Sequence, residues 1–275
     1  MSVWYPEFYP AFRCRASACR HSCCRGWEID VDEDSAETYR SLSGALGEEL
    51  RSALWEDGEG WHFRLDGEER CPFLQPDGLC RLIRELGEDA LCEICALHPR
   101  FFQEVGADEL WGLGLSCEAV TELLLAREKL RFICRETGER VNLAGLLEHL
   151  DRPLPPDLLR YQPRIDEARR RELLDRFGDT EPIDDAWSRE LAALAGAPLP
   201  DGAETGRYQR VYEYLLFRQV ERLPEAGPAA ADYARACTDL IALWDALEPD
   251  TAGHVRRLSE QIEYSTENVD RLMKQ

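Results

Sequence analysis

The sequence predicts an α+β fold, mostly α, with a cysteine-cluster domain carrying small hairpins over residues 1–150 and a helical domain over 151–275. Three observations predict it. Nine of the eleven cysteines fall between positions 14 and 117. Within that stretch, short β-type runs are separated by Asp-Gly and Pro-Asp-Gly turn signals, which read as hairpins. After the proline-rich DRPLPPDLLRYQPR at 151–164, the apolar residues fall almost entirely at helical spacing.

Composition narrows the function classes. At 275 residues the chain is long enough to bury a core without cross-links. The formal charge is -21, which repels phosphate backbones and argues against nucleic acid as a partner. No run reaches the roughly 18 apolar residues of a membrane span, and the first residues lack the pattern of a signal peptide. The expected compartment is the cytoplasm, where thiols stay reduced and grouped cysteines point to metal or catalysis rather than disulfides. Only two lysines, Lys129 and Lys274, stand against 31 arginines, which reads as codon bias.

Taken in order, Trp4, Tyr5, Phe8, Tyr9 and Phe12 with two prolines predict an extended segment that packs its rings. Cys19–Trp27 is expected as a short helix, with Cys19 and Cys23 four apart on one face and Cys24 beside them. One amphipathic helix is expected over 35–55 and a strand over 61–65. The residues CPFLQPDGLC form a turn-centred knuckle that brings Cys71 towards Cys80. A helix over 81–97, interrupted at Gly87, places Cys92 and Cys95 three apart before Pro99 stops it. A second hairpin is expected from 101–105 and 110–115, then a helix from Cys117 to about Arg127, with 131–135 either one more strand or a continuation of that helix. Cys134 and Cys237, in apolar surroundings, are expected to be buried side chains. Helices are expected over 165–177, 184–195, 206–223, 228–247 and 251–273.

Thiolates in such groups hold zinc or iron–sulfur clusters. The expected ligand pool is Cys14, Cys19, Cys23, Cys24, Cys71, Cys80, Cys92, Cys95 and Cys117, more than one four-ligand site needs. Which four share a site stays open, as does iron–sulfur against zinc. His21 and His98 are weaker candidates, and His98 fits better as a hydrogen-bond donor to a ligand. HExxH, GxSxG, P-loop and Rossmann patterns are all missing from the sequence.

The order of FRCRASACRHSCCRGWEIDVD, CPFLQPDGLCRLIRELGEDALCEICALHPRFF and LGLSCEAVTELLL resembles the flagellin lysine-N-methylase family, as do RYQRVYEYLLFRQV and IEYSTENVDRL nearer the end. Parts of the cysteine pattern are shared with zinc- or iron-chelating cysteine-cluster proteins, which supply the alternative reading of a non-enzymatic chelator. What the resemblance implies is methyl transfer from S-adenosylmethionine to lysine ε-amino groups of a protein substrate such as flagellin, in an enzyme with an iron–sulfur cluster. Catalytic and donor-binding residues are not assigned by it. Tyr264 stands where the terminal motif leads one to look for histidine. For the chemistry itself, a lysine ammonium must lose a proton before its nitrogen attacks. Tyr208, Tyr212, Tyr214 and Phe217 offer rings that could cradle a methylammonium, or a helix core.

Overall fold

The aromatic opening segment becomes strand β1 (Val3–Pro6), followed by a 3-10 turn at Tyr9–Ala11. Trp4, Phe8 and Phe12 are buried, while Tyr5 and Tyr9 set their rings against Trp111. The computed structural model describes residues 1–201 and 205–274. It divides into two compact units, one formed by residues 1–12 and 100–275 and the other by 13–99. The boundary expected at 150/151 therefore falls inside the larger unit. Residues 100–150 join that unit because their strands pair with β1 and their apolar side chains share its core. Among the described residues about 51% are helix and 12% strand, so the fold is mixed and mostly helical.

Residues 13–99 begin with irregular loops, then strand β2 (Asp30–Val31) and helices α1 (Glu33–Ser41) and α2 (Ala45–Ala53). The single helix expected over 35–55 is two. Leu42 turns extended, and Gly44 takes φ +86, a conformation glycine reaches without strain. Gly47 on α2 sits where a Cβ would lie 2.0 Å from the Leu42 carbonyl oxygen, so the tight corner needs glycine there too. Strands β3 (Leu54–Glu56) and β4 (Trp61–Phe63) complete a three-stranded antiparallel sheet in the order β2-β4-β3. Helices α3 (Arg81–Leu86) and α4 (Glu93–Leu97) follow, parted by Gly87 at φ +93 as the sequence predicts. The core of this unit is small, built on Tyr39, Leu50, Phe63 and Phe73, and it includes Cys71 and Cys92.

The larger unit carries β5 (Arg100–Val105) and β6 (Asp108–Leu113), the expected second hairpin. Its two-residue turn has Gly106 at φ +65, which suits a tight connection between twisted strands. Strands β7 (Phe132–Cys134) and β8 (Arg140–Val141) extend a sheet ordered β5-β6-β1-β7-β8, in which β1 runs parallel to β6 and antiparallel to β7. Helix α5 (Glu118–Leu125) follows Cys117, and α6 (Leu143–His149) starts at Asn142, whose side chain accepts from the Gly145 amide.

Helices α7 (Glu167–Gly178), α8 (Asp185–Leu194), α9 (Thr205–Arg218) and α10 (Leu223–Leu247) lie close to their expected spans. Aspartates at 166 and 184 cap the first two by accepting amide hydrogen bonds. Helix α10 is buried nearly all round and bends at Ala226, shortly before Pro228, where the ring removes a helical donor. The single helix expected over 251–273 is interrupted. Helix α11 (Thr251–Leu258) runs into a π-turn at Ser259–Glu263, and Ser265 then caps α12 (Thr266–Met273).

Candidate functional site

Three segments of the 13–99 unit carry thiols. The first holds Cys14, Cys19, Cys23 and Cys24, and the helix expected over Cys19–Trp27 does not form. Its backbone groups are engaged elsewhere. The Cys71 amide donates to the Cys24 carbonyl (2.9 Å), the Gly26 amide to Glu69 (2.8 Å), and Arg25 bridges Arg70. The Ser22 hydroxyl accepts from the Cys24 amide (3.2 Å). Long-range pairing has displaced the local i→i−4 ladder.

The second segment is the expected knuckle. The Gly78 amide reaches the Gln75 carbonyl (2.9 Å), the Gln75 amide reaches Leu79 (2.9 Å), and Leu74 bridges Cys80. Gly78 is left-handed at φ +77 and lies against Ser17, so this turn packs on the first loop. Arg84 steadies it with bonds to Gln75 (2.6 Å) and Asp77 (2.8 Å). In the third segment, Cys92 stands at the head of α4 and Cys95 one turn along. Asp32 ties this helix to α1, accepting from both the Ser35 and the Glu93 amides.

These folds bring Cys24, Cys71, Cys80, Cys92 and Cys95 near enough for their charges to act on one another. A hydrogen bond from Cys23 holds Cys24 down to about 7, against the opposing effect of burial. Burial pushes Cys71 up to about 12 and raises Cys80 as well. Cys95 shares its proton with Cys92, which lowers Cys92 and raises Cys95. Crowded sulfurs, buried or half-buried, resist carrying several negative charges unless a cation neutralises them. The donor chemistry thus fits a thiolate-ligated group. Among the described residues, no group of three or more His, Cys, Asp or Glu side chains stands as a ready-made metal site; the sulfurs are neighbours and do not already have the arrangement of ligands.

The remaining candidates lie differently. Cys14 is exposed and accepts from the Ala16 amide (3.4 Å), and Cys19 is half-buried. Cys117 belongs to the other unit, at the head of α5. Cys134 and Cys237 are buried, as expected of side chains that pack. His21 is exposed. His98 is half-buried, which lowers its basicity, and among the described residues its Nε2 has no hydrogen-bond partner. Tyr39 was not singled out from the sequence. Its buried hydroxyl donates to the Ala90 carbonyl (2.6 Å), and the charges of Cys92 and Cys95 act on it.

The aromatic stripe on α9 is core. Tyr212, Tyr214 and Phe217 are fully buried. The Tyr214 hydroxyl donates to the Leu113 carbonyl (2.7 Å) and that of Tyr212 to Leu158 (2.5 Å).

Comparison with curated proteins gives relatives from Salmonella. A lysine-N-methylase of Salmonella typhimurium and another of Salmonella choleraesuis are each 30% identical over 131 residues, 46% of this chain and 33% of theirs. A flagellar biosynthetic protein FliU of Salmonella muenchen is 30% identical over 131 residues, 46% of this chain and 78% of its own length. The match thus spans about a third of the two curated lysine-N-methylases. No protein-family model and no solved structure matches the chain.

Proposed function

The chain belongs to the flagellin lysine-N-methylase family, and from that premise we propose that it is a protein lysine N-methyltransferase using S-adenosylmethionine and a cysteine-ligated iron–sulfur cluster. Kinship with proteins named lysine-N-methylase carries the reading. The protein substrate is one with exposed lysines, flagellin or another. The -21 charge favours encounter with such cationic segments and disfavours nucleic acid. No helix among the described residues is long and apolar enough to cross a membrane, and the reduced thiol set suits the cytoplasm.

Four of Cys24, Cys71, Cys80, Cys92 and Cys95 are the proposed ligands, supported by their mutual proximity. A bound cluster supplies a redox-active, Lewis-acidic centre. The chain's own part is to hold the sulfurs together through the Cys24–Cys71 backbone bond and the Gln75–Gly78 turn, and to keep them buried or half-buried from water. Zinc is the competing occupant, because a knuckle plus a CxxC serves tetrahedral zinc equally well.

Anaerobic purification followed by iron, acid-labile sulfide and zinc analysis tests the cluster. Matched iron and sulfide with a brown chromophore that bleaches on reduction is the expected result. Stoichiometric zinc in a colourless protein that takes up no iron on reconstitution would overturn the cluster and bring forward the non-enzymatic chelator. Methyl transfer is tested by mass analysis of a lysine-rich acceptor incubated with protein and donor, with a 14-Da gain per methyl group expected (methyl replacing hydrogen, about 14 Da). No gain on several acceptors with the metal in place would overturn the methyltransferase.

A further inference from the structure

Away from the cysteines, the end of α10 and the start of α11 set a histidine against a carboxylate. His254 Nδ1 lies 2.8 Å from Asp245 Oδ1. The Asp245 side chain is 7% exposed and that of His254 18%, so the carboxylate is sunk while the ring reaches the surface. The other carboxylate oxygen accepts from the Tyr208 hydroxyl (2.9 Å) and from the Thr251 hydroxyl. Trp244 stacks on the imidazole, with ring centroids 5.7 Å apart and planes at 24°. Arg207 braces the group, donating to the Thr251 hydroxyl (3.1 Å) and lying over the Tyr208 ring.

This arrangement decides the tautomer. Burial works against the ionised carboxyl of Asp245, yet the bonds from His254, Thr251 and Tyr208 keep it below the usual carboxylate range. An ionised carboxylate only accepts, so Nδ1 carries the hydrogen and donates it. In the neutral ring the lone pair then sits on Nε2. A base, an orienting acid and an ordered tautomer are the parts of a proton-abstracting pair. Other histidines differ. His62 has both ring nitrogens engaged by carboxylates, Nδ1 with Asp30 and Nε2 with Asp57, and so presents no lone pair. His149 is 40% exposed, and its partner Asp108 also serves the Ser2 amide.

We propose that His254, oriented by Asp245, is the general base that takes a proton at Nε2 from a substrate ammonium group. This rests on the lysine-methylation reading. A free lysine amine at pH 7 is only about 1 part in 2,500 unprotonated, given its pKa of about 10.4, so a base has work to do. The N–H bond breaks, its proton goes to Nε2, and its electrons stay on nitrogen as a lone pair. That pair forms the N–CH3 bond with the methyl group of a sulfonium donor, whose C–S electrons leave with sulfur as a neutral thioether. The methylated nitrogen keeps the positive charge, and the imidazolium returns its proton to water. Among the described residues, Asp245 from α10 faces the ring directly, Arg207 and Tyr208 from α9 engage Thr251 and Asp245 beside it, and Asp250 caps α11 through the Gly253 amide. Helix α5, which packs on α11, carries Glu118 and Glu122.

The test compares the wild-type protein with His254→Gln, His254→Ala and Asp245→Asn, as purified with metal, over pH 6.5 to 10 on a lysine-rich acceptor. His254→Gln is expected to lower kcat about 100-fold or more near neutral pH, with KM unchanged. The deficit shrinks towards pH 10 as the acceptor lysines lose protons unaided. Added imidazole restores part of the activity of His254→Ala. Nitrogen NMR of the ring shows an unprotonated Nε2 in the wild type and a mixed tautomer in Asp245→Asn. Wild-type kcat and pH profile in His254→Gln would overturn the proposal alone. So would a loss that is equal at every pH, accompanies a lowered unfolding midpoint and resists imidazole, because that is a packing role. No transfer by the wild type to any acceptor would overturn the methylation reading, and this assignment with it.

Discussion

Residues 13–99 and the rest of the chain reach order by different means. The larger unit is organised by burial. Trp4, Phe132, Phe217, Tyr233 and Leu240 are at most 1% exposed, and capped helices converge on them. In the smaller unit the strands are two or three residues long, two of the core side chains are cysteines, and irregular loops satisfy one another's backbone groups. A core this small leaves room for something else to contribute, and the crowded thiols are where such a contribution enters.

Removing the thiols separates the two most strongly. The Cys71→Ser, Cys95→Ser double variant is expected to lose bound metal, and metal ligation contributes on the order of 10 kcal/mol in small metal-held domains. Amide exchange should accelerate across 13–99 and stay unchanged across 100–274. Full metal content in that variant would break the contrast. Phe217→Ala strikes the other unit. Its ring lies 4.7 Å from that of Phe132 and 5.5 Å from that of Tyr214, so truncation should cost about 3–5 kcal/mol in denaturant unfolding.

The pH responses should run in opposite directions. Asp184 caps α8 and pairs with Arg257. Burial opposes its ionised form, but the Arg257 bond and the cap hold it below the ordinary range. Its contribution is present above a pH of about 4 and is lost as pH falls through the lowered folded value. Asp184→Ala should therefore cost about 1 kcal/mol at pH 7, and the gap from wild type should close in acid. His62 is buried in the smaller unit. Burial disfavours its charged form, yet the bonds to Asp57 and Asp30 outweigh this and raise its pKa. Its contribution is full below about pH 6.5 and is lost as pH rises through the raised folded value. Amide exchange in 54–63 should quicken on going from pH 6 to pH 9 beyond the intrinsic change, and His62→Gln should abolish the excess. The smallest effect is expected at Arg84→Ala. Its ion pair with Asp77 is half exposed on both sides, so the unfolding free energy should change by only about 0–1 kcal/mol.

Much of this was legible where the signal was local. The CPFLQPDGLC knuckle, the break at Gly87, the hairpin around Gly106 and the burial of Cys134 and Cys237 each follow from a turn residue or a run of apolar neighbours. The helix expected at Cys19–Trp27 failed because its amides and carbonyls pair with residues 69–71, more than forty positions along the chain. The helix over 35–55 broke because the chain uses Gly44 as a corner, which spacing alone did not distinguish from a tolerated helical glycine. Proximity of Cys24 to the later cysteines has the same long-range origin. Asp245 and His254 are nine apart across a helix corner, a separation that no helical period marks. The aromatic run on α9 carried two readings, and the structure places Tyr212, Tyr214 and Phe217 in the core and leaves Tyr208 partly exposed beside Asp245.

The position of β1 bears on how the chain is made. Its neighbours in the sheet are β6, which starts at residue 108, and β7, which starts at residue 132. On a ribosome adding about 5–20 residues per second, the first strand emerges roughly 5–20 s before the nearer of these partners exists. Everything that residues 13–99 need for their own sheet and knuckle is synthesised in that interval. The nascent protein can thus complete its inserted unit while its N-terminal segment, rich in Trp, Tyr and Phe, still has an empty place in the sheet to fill.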